Sequence, residues 1–554
     1  MDAFEIRVHG IGDHDYYSAL GRPEIEPRFG RSEVAKAPKP VGHPLKLVNW
    51  SRTSRGLSKG LLWYFAFPFT LVNTVGEMGR GERRLRFAVS TVGILLTISA
   101  AAWLIVFAET ILKVVPLPGD DRLISQLISV LIPLGLAVTI IRRRPTEKIR
   151  SRWLNVVALA GFGVFVGIFQ PAQFQYTGWL SRAGRFDAMT AVVLTTTVVT
   201  MLIAAVLITS RKGRAYMAAA ALLLDIAMVA MHSVSSMLRM SLDWIATWLS
   251  PLPAGDAPTL QAEERSLMAY FDRAEIVSSR LDFVAVFSLV ALIAFLIAAV
   301  SKLGLRFPRD KRERAEHLHN RVEKAPELLA GVLIVATILM AAGAALLVLS
   351  AEPLLTGGSR HWVIIFVNTL TAAMALLIIL RHRLPAMRMV MGKSADIAGF
   401  WPVHGHPLAG GSYRQDALDA ITRAVGTGHH VVLVGHSQGS IVCAWWTKLY
   451  PQGTIDLVTC GSPLKSLYAT YFPGHFSNEF FTTVKTKSPQ WTNFWRQTDP
   501  IATAVSSARN TELDDRPEVL GHSDYWTDPT QIKWVKERIA ATLETNPASG
   551  GCMI

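Results

Sequence analysis

A serine flanked by glycines constrains the fold more than any other feature of this sequence. Residues 435–439 read Gly-His-Ser-Gln-Gly, and they lie between the apolar run HHVVLVG and the longer run QGSIVCAWWTKLY. The first run has the length and the valine content of a buried strand, and the second is long enough for a helix. Ser437 therefore lies in a tight turn from strand to helix, where small neighbours are needed because bulk would collide with either element.

The remainder of the C-terminal part alternates between helical and strand-like patterns. Helical patterns occur in SYRQDALDAITRAVGTG, SNEFFTTVKT and DPTQIKWVKERIAATLE, the last with Asp528 as its cap, and strand patterns occur in TIDLVTCG and WTNFW. Such alternation predicts a parallel sheet with helices on its faces. A further strand, Phe4 to His9, starts the chain and runs into the turn His9-Gly10-Ile11-Gly12. The sequence thus predicts an α/β domain made of residues 1–59 and 386–554.

Long apolar runs separate these two parts. Half of the 554 residues are hydrophobic and 18% are charged, and the mean hydropathy is +0.30, values typical of a membrane protein. Eight runs reach the roughly 20 residues that a bilayer-spanning helix needs. They lie near residues 87–108, 123–141, 153–172, 189–209, 216–238, 283–301, 328–350 and 361–380. They predict an all-α transmembrane bundle of about eight helices within residues 79–385, preceded by an interfacial helix at residues 60–78.

The loops between the apolar runs alternate between rich and poor in basic residues. Arg142-Arg143-Arg144 and the stretch from Lys302 to Lys324 belong to one side, whereas the loop around residues 241–281 is mainly acidic. The positive-inside rule then places both termini and the α/β domain in the cytoplasm. We expect a multi-pass protein of a bacterial inner membrane, with the lipid bilayer as a partner. These clusters explain the net charge of +14, and no recognition motif suggests a nucleic-acid partner.

Two later residues complete a chemical pattern with Ser437. Asp499 lies in RQTDPI just after a predicted strand, and His522 lies in GHSDYW just before the final helix. Both positions are loops that the carboxyl edge of a parallel sheet would bring together. His522 would then take the proton of Ser437, while Asp499 orients the imidazole and stabilises its charged form. Alternative acids that do not follow a strand are Asp514, Asp515 and Asp524.

Other reactive side chains form weaker patterns. Three histidines show no carboxylate spacing typical of a metal site, so we expect loop histidines: His14, His404 and His406. Three cysteines lack the spacing of a disulfide framework: Cys443, Cys460 and Cys552. Three ionisable residues recur every seven positions on the fifth apolar run, where a functional role and a structural ion-pair stripe both stay open: Asp225, His232 and Arg239. No cofactor and no metal ion is expected.

The sequence VHGIG at residues 8–12 and the serine turn at residues 435–439 resemble motifs of the α/β-hydrolase superfamily, particularly those of compact bacterial lipases. The resemblance covers residues 4–12 and about 400–545. It implies a serine hydrolase that cleaves a lipid or other acyl ester, an amphiphilic substrate, through an acyl-enzyme on Ser437. It also implies an oxyanion hole formed by the backbone N–H groups of Ile11 and Gln438. An acyltransferase with the same triad, and a transporter or sensor with a regulatory hydrolase-like domain, stay open.

Overall fold

The computed structural model describes residues from both α/β segments and from parts of the region between them. The described residues are 3–11, 33–36, 43–50, 308–322, 324, 399–401, 412–427, 429–450, 455–513, 517 and 519–544, with short helical stretches between 91 and 164 and position 297. The interfacial helix predicted at residues 60–78 lies outside them.

Seven described strands form one sheet. They are β1 (Ala3–Val8), β2 (Glu33–Lys36), β3 (Leu45–Asn49), β4 (His430–His436), β5 (Ile455–Cys460), β6 (Thr492–Trp495) and β7 (Arg509–Glu512). Their spatial order is β2-β3-β1-β4-β5-β6-β7. β2 runs antiparallel to β3, and every other neighbouring pair is parallel. This is the α/β arrangement that the alternation of patterns predicts.

The start of the chain lies inside the sheet. β1 pairs with β3 on one side and with β4 on the other, so that Ile6 is opposite Leu433. All six residues of β1 are buried. Since β4 leads directly to Ser437, this pairing brings the turn after β1 to the sheet edge that carries the serine.

Among the described residues, five helices surround the sheet or pack near it. They are α1 (311–322), α2 (Arg414–Val425), α3 (Gln438–Leu449), α4 (Asn478–Lys487) and α5 (Pro529–Glu544), and a π-helix spans Leu464–Ala469. Asp528 caps α5 as predicted, because its Oδ1 accepts hydrogen bonds from the backbone N–H groups of Thr530 (2.9 Å) and Gln531 (3.3 Å). The cap fixes where the loop that carries His522 ends.

Alternate residues of each strand pack into two separate cores, because successive side chains point to opposite faces. Ile6, Leu433 and Leu457 belong to the core that also contains residues of α2, α3 and α4. Val432 and Val458 belong to the core that contains the α5 residues Val535 and Ile539. The sheet is therefore covered on both faces.

One group of predictions is wrong for the part of the chain that the structure describes. None of its helices is both long enough and apolar enough to cross a bilayer. The longest of the five, α5, has 16 residues, about 24 Å at 1.5 Å per residue, and it carries several charged side chains. The predicted eight-helix transmembrane bundle and the multi-pass, inner-membrane localisation are corrected accordingly. Most of the eight apolar runs lie outside the described residues.

Candidate active site

Ser437 lies in a strained turn between β4 and α3. Its backbone has φ 52° and ψ −122°, a conformation that residues other than glycine rarely adopt. The flanking glycines are required by close approach: a Cβ on Gly435 would lie 2.6 Å from the Gly439 oxygen, and a Cβ on Gly439 would collide with backbone oxygens of β1 and the turn that follows it. The turn is held to β5 because the Ser437 N–H donates to the Cys460 oxygen at 2.9 Å.

The three predicted site residues form one hydrogen-bonded chain. The His522 Nε2 atom lies 2.8 Å from Ser437 Oγ, and its Nδ1 atom lies 2.8 Å from Asp499 Oδ2. Asp499 is fully buried and Ser437 nearly so, whereas the His522 side chain is 29% exposed. In this geometry Nδ1 donates to the carboxylate, so that Nε2 is the acceptor available to the serine hydroxyl.

Asp499 is held as a carboxylate by hydrogen bonds to both of its oxygens. Oδ1 accepts from the backbone N–H groups of Ile501 (3.1 Å) and Ala502 (3.3 Å), and Oδ2 accepts from His522 and from the Tyr525 hydroxyl at 2.9 Å. Burial raises the pKa of Asp499, but the hydrogen bond and charge of His522, the Ile501 N–H and the Tyr525 hydroxyl together lower it by more. The net pKa lies below the ordinary value of 3.8. The carboxylate can therefore stabilise a positive charge on His522.

The turn after β1 packs directly against the serine. A Cβ on Gly10 would lie 2.7 Å from the Cβ of Ser437. His9 holds this turn, because its ring stacks on Trp50 at 4.9 Å and its backbone oxygen accepts from Trp50 Nε1 at 2.9 Å. The ring nitrogen Nε2 of His9 also lies 3.0 Å from Asn49 Oδ1. Contacts from the end of β3 thus keep the turn next to the nucleophile.

Gln438 is the first residue of α3, and its backbone N–H has no acceptor within the helix because the first turn lacks preceding carbonyl groups. Its side chain is buried and its Oε1 accepts from the Tyr468 hydroxyl at 2.7 Å. Ile11 is half-buried and follows the glycine that contacts Ser437. The assignment of these two N–H groups to an oxyanion hole stays a prediction.

Sequence reasoning missed two side chains that hold the histidine and the acid. Tyr525 is fully buried and donates to Asp499, and its ring lies against Gly461, where φ is 57° and a Cβ would lie 2.8 Å from the ring. His436 Nε2 lies 2.7 Å from the His522 oxygen, to which it donates. Their proximity to the motifs was visible in the sequence, but no pattern distinguishes such contacts from ordinary packing.

The structure also describes some of the alternative residues. Asp524 accepts from the Gly521 N–H at 2.7 Å and so stabilises its own turn. Cys443 and Cys460 are buried free thiols, and burial raises the pKa of each. The remaining predicted candidates lie outside the described residues: His14, Asp225, His232, Arg239, His404, His406, Asp514, Asp515 and Cys552.

Comparison with known proteins found no similarity. The chain matches no protein-family model, no curated protein and no solved structure. The function is therefore inferred from the geometry of the site.

Proposed function

We propose that the protein is a serine hydrolase that cleaves a carboxylic ester through an acyl-enzyme on Ser437. One observation carries the proposal: the hydrogen-bonded chain from Ser437 through His522 to Asp499, with 2.8 Å at each link. The strained backbone of Ser437 supports it, since such conformations cluster at functional sites. The order serine, acid, histidine along the chain agrees with the resemblance to α/β-hydrolases.

Acylation begins when Ser437 Oγ attacks the ester carbonyl carbon and its proton passes to His522 Nε2. The carbonyl electron pair moves onto the oxygen, where the N–H groups of Ile11 and Gln438 are the proposed donors, each typically worth about 3 kcal/mol. Asp499 stabilises the imidazolium without taking its proton. The tetrahedral intermediate then collapses, the bond to the alkoxide breaks, and His522 protonates the departing alcohol.

Deacylation repeats the sequence with water as the nucleophile. His522 takes a proton from water while the hydroxyl oxygen attacks the acyl carbon, and the Ser437 oxygen leaves with the proton from His522. The carboxylic acid is released. The balance is one ester and one water converted to one acid and one alcohol, with the enzyme unchanged.

A fluorophosphonate probe tests the nucleophile. The wild-type chain should become covalently labelled on Ser437, and Ser437→Ala should not, because the probe phosphonylates an activated serine hydroxyl. Ser506→Ala is the matched control, since this serine is exposed and does not follow a strand as Ser437 does, and it should label like the wild type. Mass spectrometry of the labelled peptide identifies the modified residue. Labelling that persists in Ser437→Ala would overturn the proposal.

The acid is tested by a matched pair of isosteric changes. Asp499→Asn should lower ester hydrolysis by about 10⁴-fold, as expected when the histidine loses its orienting carboxylate. Asp524→Asn should leave most of the activity, because the amide oxygen of the asparagine can still accept the hydrogen bond from the Gly521 N–H. Equal losses of activity in the two variants would show that Asp499 is not the specific partner of His522.

A further inference from the structure

A helix from the middle of the chain reaches the candidate active site. α1 spans residues 311–322, and Asp310 caps it by accepting from the Glu313 N–H at 2.9 Å. Arg312 and Glu316 form a pair one turn apart, with 3.0 Å between Nε and Oε1. In the sequence, this stretch belongs to a basic loop between apolar runs. It is an ordered, capped helix, and one of its residues is buried.

That buried residue is His319, which is 8% exposed. Its Nδ1 atom donates to the backbone oxygen of Asp499 at 2.6 Å, across a separation of 180 residues. Its ring stacks on Trp495, the last residue of β6, with 6.0 Å between ring centroids and 24° between planes. His319 therefore contacts both ends of the segment that runs from β6 to the catalytic acid.

The backbone of Asp499 is fixed by two hydrogen bonds. Its N–H donates to the Arg496 oxygen at 3.2 Å, within the turn itself, and its oxygen accepts from His319. Among the described contacts of Asp499, the one with His319 comes from outside the segment 412–544. The direction of the carboxylate toward His522 depends on the orientation of this peptide unit.

We propose that α1 is a positioning element of the active site, and that His319 holds the Asp499 turn so that the carboxylate faces His522. The inference rests on the proposed function. If α1 has this role, the region between the two α/β segments affects the rate of the reaction through His319. His319 does not touch the reacting atoms, so it acts through Asp499.

Two substitutions of His319, made in the whole 554-residue chain, test this role. His319→Leu removes the donor at the Nδ1 position, whereas His319→Asn keeps an N–H donor there. Asn320→Ala is the control, because Asn320 is exposed on the same helix. Hydrolysis of a short-chain ester and the rate of fluorophosphonate labelling are measured for all three. Labelling to completion also counts the active serines, so that kcat is expressed per competent site and incomplete folding does not lower it.

We expect His319→Leu to lower kcat and the labelling rate about tenfold with KM unchanged, as a small misplacement of a catalytic group does. His319→Asn should recover most of the loss, and Asn320→Ala should match the wild type. Wild-type kcat in His319→Leu, or an equal loss in His319→Asn, would overturn the inference. Wild-type protein that neither labels nor hydrolyses esters would instead refute the proposed function, and the inference with it.

Discussion

The two faces of the sheet are stabilised in different ways. The face against α2, α3 and α4 is built from aliphatic and aromatic side chains, among them Ile6, Leu433 and Leu457. The face against α5 has an apolar centre as well, but the same strands bury charges there: Glu5 and Arg7 alternate with Ile6, and Asp456 alternates with Leu457. A buried charge is tolerated only where it is paired, so this face depends on ion pairs.

Two ion pairs on this face connect β5 and the end of β6 to α5 or to its cap. Arg538 Nε lies 2.8 Å from Asp456 Oδ2, and Arg496 Nη2 lies 2.5 Å from Asp528 Oδ2 at the cap of the helix. Charge-assisted hydrogen bonds fix direction, whereas apolar contacts allow small shifts. Because His522 lies in the loop that leads into α5, pairs that fix the helix also fix the histidine. The apolar face stabilises the fold, and we infer that the charged face also keeps His522 in its place.

The largest effect is expected from Asp528→Ala. This change removes the cap of α5 and leaves Arg496, which is fully buried, without its carboxylate. The free energy of unfolding should fall by roughly 3–5 kcal/mol, because an uncompensated buried charge remains. Urea denaturation measures this loss. The kcat for ester hydrolysis should fall as well, since the loop before α5 is less firmly held.

Leu457→Ala is the matched comparison on the apolar face. Leu457 is fully buried, so the variant should lose roughly 3 kcal/mol, yet its kcat per active site should match the wild type. In an Arg496→Met background, Asp528→Ala should cost only about 1 kcal/mol, the usual value of a helix cap. Parallel losses of kcat in Asp528→Ala and Leu457→Ala would show that the faces do not differ in role.

A smaller effect is expected from Glu5→Gln in the centre of the sheet. Arg7 Nε lies 2.6 Å from Glu5 Oε1, and His43 Nε2 lies 2.7 Å from Oε2. Burial raises the pKa of Glu5, but Arg7 and His43 together lower it by more, to below the ordinary value of 4.5. Removing the charge should cost about 2 kcal/mol at neutral pH, since Arg7 stays buried with a neutral partner.

The sign of the pH dependence follows from the lowered pKa of Glu5. A carboxyl group with a lower pKa in the folded state stabilises the fold above its unfolded pKa, and this contribution is lost as pH falls through the folded value. The stability difference between wild type and Glu5→Gln should therefore shrink as pH falls below the ordinary value of 4.5. Denaturation curves at a series of pH values measure the difference, and a gap that widens toward acid would contradict the assignment.

The elements with clear periodicity could be predicted from the sequence. β4, β5, β6 and the helices α2 to α5 each combine an apolar pattern with a recognisable turn or cap. β7 could not, because its sequence RNTE is polar and its residues are largely exposed. β3 is short, and its pairing with β1 depends on tertiary structure. The hydropathy of a segment does not specify whether lipid or protein surrounds its apolar side chains. The bilayer-spanning helices predicted from hydropathy are therefore not found among the described helices.

The residues of the candidate site also fall into those that could be predicted from the sequence and those that could not. Ser437, Asp499 and His522 were recognisable because each lies in a loop next to a predicted strand or helix. Tyr525 and His319 were not, since they act through contacts with Asp499 across 26 and 180 residues. No periodicity or motif encodes such a contact. The reactive groups of a site can thus be read from local patterns, whereas the groups that hold them require the folded chain.

The smallest effect, and the finest test of the positioning role, is expected from Tyr525→Phe. The ring would keep its place between Gly461 and Arg496, whose guanidinium carbon lies 4.4 Å from the ring centroid, so the fold should lose only about 1 kcal/mol. The hydrogen bond to Asp499 Oδ2 would be lost, and with it one of the contacts that lower the pKa of this carboxyl.

Without that bond, the Asp499 carboxylate keeps its contacts with His522 and with the Ile501 and Ala502 N–H groups, but it is held less firmly toward the imidazole. The kcat for ester hydrolysis should therefore fall a few-fold with KM unchanged, since Tyr525 acts through Asp499 and does not touch the reacting atoms. Trp526→Phe, a neighbouring change that leaves the Tyr525 hydroxyl in place, should leave kcat at the wild-type value. A wild-type kcat in Tyr525→Phe, or an equal loss in both variants, would leave the hydroxyl with a packing role alone.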